Sequence, residues 1–378
     1  MDRISINHRS SSSRYEVIIE AGFLAAIGGW ARSSLDSAAR KAVIVSNPTV
    51  FSLYGEAVRS SLTRSGFDVS VWLMKDGERN KNLPSLNNAL EFLAAQRLSR
   101  DDVVVALGGG VVGDLAGFAS AVYQRGIRFL QVPTTFLAMI DSSVGGKTGI
   151  NLASGKNMVG AFHRPSGVLI DVSTLQTLPR RELTAGFCEA VKHGAISGDK
   201  LFFQTADFLG KFDHRKLSDN ADDLSKLVSA HVKFKASIVR QDETESTTRD
   251  DSRSRKILNF GHTFGHALEK VTKYRRLRHG EAVGYGILLA GELSKNLDLL
   301  SQNELNSLYD VVHRAGSLPR IADISPASIF DAFKSDKKSS GGRVRWILLK
   351  AIGQPVIISE DNIPRSALTR AVKTILKS

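Results

Sequence analysis

Three histidines and one glutamate between residues 189 and 279 have the residue types and the setting of a metal site. His262 and His266 lie four residues apart in NFGHTFGHALEK (259–270), each directly after a glycine. Glu189 in GFCEAVKHG and His279 in RHGEAV add further ligand atoms. A catalytic zinc ion takes three such ligands and keeps one position open. Histidines one helical turn apart face the same side, so His262 and His266 could both reach one ion. The pattern favours a metal site over four ordinary core residues.

A glycine-rich turn follows an apolar run in VVVALGGGVVGDLAG (103–117). It matches G-x-G-x-x-G at Gly108, Gly110 and Gly113. Such a turn lets the backbone approach a pyrophosphate at a helix N-terminus. The acidic residue that usually follows about 20 positions later is absent, because that region reads GIRFLQVPTT. Two interpretations remain open: a tight structural turn, or a non-standard dinucleotide-binding turn.

The segment TTFLAMIDSSVGGKTGINLASGKNMVGAFHRP (134–165) combines lysines with glycines. Its apolar residues show no clear repeat, so it is expected to bury little apolar surface. A compact ammonium group on a glycine-rich loop can approach an oxyanion without obstruction by the backbone. The segment therefore predicts a site for phosphate or carboxylate, with a solvated surface loop as the alternative. Its polar candidates are Thr134, Thr135, Asp141, Lys147, Lys156 and Asn157.

Six apolar runs in the first half of the chain predict the strands that would position these residues. They are 15–22, 41–47, 68–74, 101–110, 127–135 and 167–172. Several are continuously apolar and β-branched, as expected of strands buried on both faces. Segments 83–99 and 111–124 have helical spacing. This alternation favours a mainly parallel sheet covered by helices.

Helical patterns dominate from about residue 174. They cover 182–196, 221–240, 257–271, 280–296 and 302–316, with a polar loop at 242–254, a hairpin at 343–359 and a closing helix at 365–378. We predict an α/β domain at 1–173 and a mostly helical domain at 174–378. Because ligands of parallel sheets bind beyond the carboxyl ends of the strands, we expect the active site in the cleft between the two domains.

The composition is that of an ordinary globular protein, with 42% hydrophobic and 24% charged residues among 378. We expect no membrane span and no signal peptide, since the N-terminus carries a polar serine run. The single cysteine, Cys188, fits a reducing compartment, so we expect a cytoplasmic protein. The formal net charge is +13, but the basic residues are scattered. We therefore expect an anionic small-molecule substrate and no nucleic-acid partner.

Taken together, nine motifs resemble those of 3-dehydroquinate synthases, enzymes of the shikimate pathway. The resemblance runs from about residue 15 to 350 and keeps the motif order of the family. The motifs are DGERNK, GGGVVGDLAGF, RFLQVPTT, MIDSSVGGKTGIN, GKNMVGAF, AGFCEAVKHGAI, NFGHTFGHALE, HGEAVGYG and DKKSSGGRVRWILL.

The resemblance implies a redox-neutral cyclisation of 3-deoxy-D-arabino-heptulosonate 7-phosphate, a phosphorylated seven-carbon sugar acid. Transient oxidation by NAD acidifies a C–H bond, phosphate is eliminated, the hydride is returned, the ring opens, and an intramolecular aldol reaction closes the carbocycle. The resemblance further implies one divalent metal ion, zinc or cobalt, and a homodimer. It also implies that the departing phosphate takes part in the proton abstraction.

The resemblance assigns the metal to Glu189, His262 and His279. It leaves His266 beside the metal, placed to hydrogen-bond the substrate or relay protons. The implied NAD-binding residues are Asp76, Gly77, Glu78, Arg79, Asn80, Lys81, Gly110, Val111, Val112, Gly113, Asp114, Thr134, Thr135, Asp141, Lys147, Lys156, Thr174, Leu175, Gln176 and Thr177.

The phosphate and carboxylate of the substrate are assigned, again by resemblance, to a set of basic and amide side chains. Several cations around one phosphate stabilise the charge that develops as it leaves. Lys337 is chosen over its neighbour Lys338 in the DKK motif. The set is Arg125, Lys147, Asn157, Lys192, Lys235, Arg255, Asn259 and Lys337, with His266 as a further catalytic residue.

Cys188 beside Glu189, the loop 243–254 and the basic run before His279 depart from the family pattern. Three rival functions follow from the same residues. A sister sugar-phosphate cyclase would act on another phosphorylated sugar, and a metal-dependent polyol dehydrogenase would accumulate NADH. A basic nucleic-acid-binding protein without catalysis would not need the metal ligands or Lys147.

Overall fold

The computed structural model describes residues 15–35, 38–217, 220–246, 248–339 and 344–377, without the side chains of 215 and 335–339. The strands are β1 Glu16–Glu20, β2 Lys41–Ser46, β3 Asp68–Leu73, β4 Val103–Gly108, β5 Arg128–Pro133, β6 Lys147–Leu152, β7 Gly155–Phe162, β8 Gly167–Asp171, β9 Arg345–Leu349 and β10 Pro355–Ser359. The longer helices are α1 Ile27–Ser34, α2 Glu56–Arg64, α3 Leu83–Ala95, α4 Gly110–Val122, α5 Arg180–Ser197, α6 Asp199–Lys211, α7 Ala221–Gln241, α8 His262–Val271, α9 His279–Asn296, α10 Gln302–Ala315, α11 Pro326–Ser339 and α12 Arg365–Lys377.

Six strands form one parallel sheet in the order β1-β8-β5-β4-β2-β3. These are the six apolar runs of the sequence, so the predicted parallel sheet is confirmed. Strands β2 and β4 are neighbours, but the chain leaves β2 towards β3 on one side and β4 towards β5 on the other. Such a reversal opens a crevice at the carboxyl ends of the strands, where parallel sheets bind their ligands.

The central strand β4 explains why the sequence shows continuous apolar runs instead of alternation. Val103 and Val105 pack with α1 and α2 on one face of the sheet, in a core that includes Ile27. Val104 packs with α3 and α4 on the other face, in a core that includes Leu115. Both faces of the sheet are therefore covered by helices, as expected of a parallel sheet.

The glycine-rich segment after β5 forms a buried helical turn, Ala138–Ser142, followed by an antiparallel hairpin. Strands β6 and β7 form an antiparallel hairpin, with Lys147 opposite Phe162, and this hairpin packs on α4. Phe136, Met139 and Ile140 are fully buried in the largest core, which they share with the helical part of the chain. The expectation that this segment buries little apolar surface was wrong.

The second part of the chain is helical, as predicted, and ends in the β9–β10 hairpin and α12. Strand β8 ends at Asp171 and α5 begins at Arg180, so the proposed boundary at 173/174 falls in the short helical segment Val172–Thr177. None of the described helices combines the length and the apolar character needed to cross a membrane.

Candidate active site at the carboxyl edge of the sheet

The three predicted metal ligands come from three helices that pack closely against one another. Glu189 lies within α5, whereas His262 and His279 are the first residues of α8 and α9. A Cβ atom on Gly280 would overlap the Ala185 carbonyl oxygen of α5. Glycine at this position lets α9 approach α5, and the approach brings His279 towards Glu189.

Both histidines direct their Nε2 atoms at the same carboxylate oxygen. His279 Nε2 lies 3.5 Å and His262 Nε2 4.0 Å from Glu189 Oε1. The three ligand atoms all lie within 4.8 Å of one another. Glu189 is fully buried, and its Oε1 accepts no hydrogen bond from the described residues. A buried carboxylate oxygen without a donor is costly, so this arrangement fits a bound divalent cation.

We call Glu189, His262 and His279 the metal triad. The Nδ1 atom of each histidine ring faces an acceptor outside this triad. His262 Nδ1 lies 3.2 Å from the Phe260 carbonyl oxygen, and His279 Nδ1 lies 3.3 Å from Glu269 Oε2. Such acceptors fix the ring orientation and leave Nε2 free for a metal. Burial, together with Lys192 and the neighbouring histidines, holds the pKa of His262 well below its ordinary value. The imidazole is therefore neutral, as metal binding requires.

His266 lies beside this triad and is exposed. Its ring centroid is 5.4 Å from that of His262 and 6.0 Å from that of His279. A second combination, His266 with Glu269 and His279, also brings three ligand atoms within 4.8 Å. Glu269, however, already contacts both His279 and Lys156. The Glu189 triad therefore fits a metal better, and His266 is left facing outwards beside it.

Glu269 is a site residue that the sequence analysis missed. It is buried on α8 and contacts His279 through one carboxylate oxygen and Lys156 through the other. Burial favours protonation, but His279 and Lys156 outweigh it and hold the pKa of Glu269 well below its ordinary value. Its spacing was an available signal, since Glu269 follows His262 by seven residues and therefore lies on the same helix face.

Two buried lysines form ion pairs with acidic residues at or near the metal triad. Lys192 Nζ lies 2.7 Å from Glu189 Oε2, and Lys235 Nζ lies 2.6 Å from Asp141 Oδ1. Burial would raise the pKa of Asp141, but Lys235 and Lys192 outweigh it and keep that pKa well below its ordinary value. His193 Nε2 lies 3.4 Å from the same Asp141 oxygen. Two predicted substrate lysines thus lie in one buried ionic network with a predicted metal ligand.

A second group of predicted substrate residues gathers around the loop after α7. Lys147 forms an ion pair with Glu245, and Asn259 Nδ2 donates to Glu245 Oε1 over 3.4 Å. Arg255 is buried and donates to the carbonyl oxygens of Gly145 and Glu243.

Asn259 does not continue the face of α8, contrary to the helical interpretation of 257–271. The segment Arg255–Asn259 is a 3₁₀ turn, and Gly261 adopts φ +79° before α8 begins at His262. Glycine reaches this left-handed conformation without steric cost. The chain therefore bends between Asn259 and the histidines, and Asn259 reaches Glu245 from a loop.

Most of the predicted cofactor residues lie just beyond the carboxyl ends of the parallel strands, whereas Lys147 and Lys156 lie on the β6–β7 hairpin. Lys81 Nζ is 2.8 Å from Asp114 Oδ2 and 2.7 Å from Asn157 Oδ1, and Thr49 Oγ1 donates to Asp76 over 2.9 Å. Asn157, assigned to the substrate, therefore contacts the cofactor group. That group comprises Asp76, Gly77, Glu78, Arg79, Asn80 and Lys81 after β3, Gly110, Val111, Val112, Gly113 and Asp114 after β4, Thr134, Thr135 and Asp141 after β5, and Thr174, Leu175, Gln176 and Thr177 after β8.

The glycine-rich turn packs closely against neighbouring residues, and the helix that follows it has no side-chain cap at its N-terminus. A Cβ atom on Gly110 would lie 2.9 Å from Ser142 Oγ, and one on Gly109 would lie 3.0 Å from Thr135 Cγ2. Gly109 precedes α4 without any side-chain cap, so the first N–H groups of the helix have no such partner. An uncapped helix N-terminus beside close backbone packing suits the pyrophosphate of a dinucleotide.

One predicted substrate residue, Arg125, does not join these groups. Arg125 is exposed and follows α4, whose 13 residues carry the chain about 20 Å away from the glycine-rich turn. It lies near the start of β5, at the opposite edge of the sheet. The side chain of Lys337 lies outside the described residues.

The chain is similar to 3-dehydroquinate synthases along most of its length. The 3-dehydroquinate synthase N-terminal family profile matches residues 71–185, and the corresponding C-terminal profile matches 186–339. The 3-dehydroquinate synthase of Cyanothece sp. is 41% identical over 96% of both chains.

Two solved structures share the fold over almost the whole chain. One is 2-epi-5-epi-valiolone synthase from Streptomyces hygroscopicus with NAD⁺ and Zn²⁺ bound, which is 25% identical, covers 99% of both chains and has a TM-score of 0.84. The other is 2-deoxy-scyllo-inosose synthase complexed with carbaglucose-6-phosphate, NAD⁺ and Co²⁺, which has a TM-score of 0.80 at 24% identity over 95% of this chain and 96% of that one. With the two profiles together matching residues 71–339 and the identity to the Cyanothece enzyme, this chain belongs to the 3-dehydroquinate synthase family.

Proposed function

We propose that this protein converts 3-deoxy-D-arabino-heptulosonate 7-phosphate to 3-dehydroquinate and phosphate. The observation that carries the proposal is that Glu189 belongs to two groups at once. It faces the Nε2 atoms of His262 and His279 through one oxygen and Lys192 through the other. Metal ligands thus adjoin buried cations for an anionic substrate, and the reaction of the family needs both.

The residues fit the two groups that the family uses. Glu189, His262 and His279 would hold a divalent ion, zinc or cobalt, and the residues beyond β3, β4, β5 and β8 would hold NAD. When bound, the ion supplies a Lewis acid for a substrate hydroxyl, and NAD supplies a temporary hydride acceptor.

The chain's own residues orient the substrate and stabilise its charge. Lys192 and Lys235 are almost fully buried, so their ammonium groups act where water screens them little. There they would stabilise the negative charge that grows on the phosphate as it leaves. Burial lowers the pKa of Lys235 to about 8, although Asp141 opposes this shift. Lys235 therefore remains mostly protonated at neutral pH.

His266 is the candidate for moving a proton at the solvent side of the site. It is exposed and stands beside the metal triad on α8. A histidine in such a position can exchange protons with substrate or water near neutral pH. Asp141, paired with Lys235 at the carboxyl end of β5, would lie on the nicotinamide side.

The test is incubation of the protein with the heptulosonate phosphate, NAD and zinc or cobalt. We expect phosphate release without net formation of NADH. Accumulating NADH would instead indicate a polyol dehydrogenase. Phosphate release only from other phosphorylated sugars would indicate a sister cyclase, the class to which the two solved neighbours belong.

A homodimer and a cytoplasmic location complete the proposal. Met158 and Phe162 on β7 are more than half exposed and offer apolar surface for a second copy. Sedimentation of the purified protein tests the dimer, and a monomer at micromolar concentration would refute it. The single cysteine supports a reducing compartment, which cell fractionation would test.

A further inference from the structure

One face of α5 meets the first turn of α9 through a row of three contacts. Arg181, Ala185 and Glu189 follow one another at intervals of four residues, so they lie on the same side of α5. Their partners are the first residues of α9 in reverse order: Glu281, Gly280 and His279. Two members of the metal triad therefore stand at one end of a row whose other end is an ion pair.

Arg181 holds the chain on both sides of His279. Its Nε lies 2.5 Å from Glu281 Oε1 and its Nη2 lies 2.7 Å from Glu281 Oε2. The same guanidinium donates to the Arg276 carbonyl oxygen. Glu281 Oε2 in turn accepts the backbone N–H of Arg278 over 2.7 Å. The segment just before His279 and the residue just after it in the first turn of α9 are thus fixed by one arginine of α5.

The chemistry of this pair fixes direction as well as contact. Glu281 is fully buried, and a buried carboxylate needs donors for its oxygens. The planar guanidinium supplies two parallel N–H groups, which align the carboxylate in one orientation. Two apolar residues could pack these helices together, but they would define the rotation of α9 about its own axis less closely. His279 begins α9, so its position depends on that rotation.

We propose that Arg181 and Glu281 are positioning residues of the metal site, which hold His279 at the distance from Glu189 that a bound divalent ion requires. The inference rests on the proposed function, because it assumes that these two residues bind the ion. Arg181 precedes Glu189 by eight residues on α5, which is about 12 Å along the helix axis. It therefore acts through α9 and touches neither the ion nor the substrate.

The expected sign of the effect separates positioning from electrostatics. Arg181 is a cation, so removing its charge would by Coulomb repulsion alone favour binding of a metal cation. If Arg181 positions His279, its removal weakens metal binding instead. Arg181→Met keeps much of the apolar stem and removes the guanidinium. We expect its zinc affinity, measured by competition with a chromophoric chelator, to fall about tenfold, at the lower end of the range for indirect partners of metal ligands.

Arg278→Met is the matched control. Arg278 forms an ion pair with Glu182 over 2.9 Å and so joins the start of α9 to the same helix α5. The Glu182 side chain is 33% exposed, whereas that of Glu281 is buried. Arg278→Met removes the same charge next to His279 but leaves the buried pair intact. Its zinc affinity is expected to change less than twofold.

The visible spectrum of the cobalt-loaded protein gives a second readout, because it reports the geometry of the ligands around the ion. We expect shifted absorption bands in Arg181→Met and an unchanged spectrum in Arg278→Met. Arg181→Lys keeps the charge but lacks the planar fork, and it serves as the variant to measure if Arg181→Met does not fold. Its zinc affinity should fall between those of Arg181→Met and the unmodified protein.

Zinc affinity of Arg181→Met equal to or above that of the unmodified protein would overturn the inference. An equal loss in Arg278→Met, or a cobalt spectrum that none of the variants changes, would also overturn it. A different result, no zinc binding by the unmodified protein, would refute the metal assignment of the proposed function and this inference with it. The two failures are therefore distinguishable without measuring turnover.

Discussion

Lys156 Nζ lies 2.8 Å from Glu269 Oε1, and the other oxygen of Glu269 lies 3.3 Å from Nδ1 of the predicted metal ligand His279. Lys156 comes from the hairpin on the sheet side, and its neighbour Asn157 contacts Lys81 in the predicted cofactor group. The hairpin therefore links the nucleotide side of the site to the metal side through two consecutive residues.

This relationship predicts that Glu269→Gln weakens metal binding. Glutamine keeps an acceptor oxygen but loses the negative charge that makes Glu269 a strong partner for the His279 ring, and a change of this kind typically costs about 10–100-fold in metal affinity. Competition for zinc with a chromophoric chelator measures the effect directly. Glu292→Gln on α9, whose carboxylate accepts from Tyr309 far from the triad, serves as the control. Equal zinc affinity of Glu269→Gln and the unmodified protein would refute the role.

The two histidines of the NFGHTFGHALEK segment are predicted to differ in their effect on metal content. His262→Ala and His279→Ala remove triad members, so both should abolish activity and leave less than one metal ion per chain after dialysis. His266→Ala should keep the metal and lose activity, because His266 lies outside the triad. Metal analysis of the three purified variants decides the matter. Loss of metal from His266→Ala would favour the alternative combination with Glu269.

The sequence predicted those parts of the molecule that follow from periodicity and chain order. The six sheet strands were visible because a parallel strand buried on both faces is continuously apolar, as β4 is. The clustering beyond the strand ends followed from the geometry of parallel sheets. Ion pairs between segments far apart in the chain could not be predicted from the sequence. Examples are the pairs of Glu269 with Lys156 and of Glu245 with Lys147. A residue that takes part only through such a pairing carries no local signal of its partner.

The break before α8 shows a second limit of the sequence. The spacing of 257–271 is compatible with one helix, yet Gly261 at φ +79° separates Asn259 from His262. A Cβ atom on Gly261 would lie 2.9 Å from the Ile287 backbone nitrogen of α9. The glycine therefore serves a close contact between helices, and that contact cannot be derived from the spacing of apolar residues.

The low pKa of Lys235 predicts a pH dependence of anion binding. Burial lowers it to about 8, so the ammonium charge is present below that pH and is lost as pH rises through it. The affinity for inorganic phosphate should therefore decrease as the pH rises from about 7.5 to about 9.5. In Lys235→Met, which has no ammonium group at this position, the decrease in affinity should be smaller. Binding that stays constant in the unmodified protein over this range would contradict the assignment.

The same shift has a consequence for stability that can be measured separately. The pKa of Lys235 is lower in the folded protein than the ordinary lysine value of about 10.4 expected in the unfolded chain. The folded state is therefore penalised while both states are protonated, and the penalty is relieved as pH rises from about 8 to about 10. This contribution to the free energy of unfolding should increase over that range and be absent in Lys235→Met.

The last prediction concerns the helix contact that brings the ligands together. An alanine at Gly280 would place its Cβ against the Ala185 carbonyl oxygen, so α9 must move away from α5. Overpacking of this kind typically costs about 1–3 kcal/mol of stability, and because His279 precedes Gly280, zinc affinity should fall as well. Gly29→Ala is the matched control, since a Cβ there meets nothing within 4 Å and alanine favours the helix by up to about 1 kcal/mol. Chemical denaturation and zinc titration of both variants test the contact. If Gly280→Ala kept both its stability and its zinc affinity, close packing of α9 on α5 would not be what positions His279 beside Glu189.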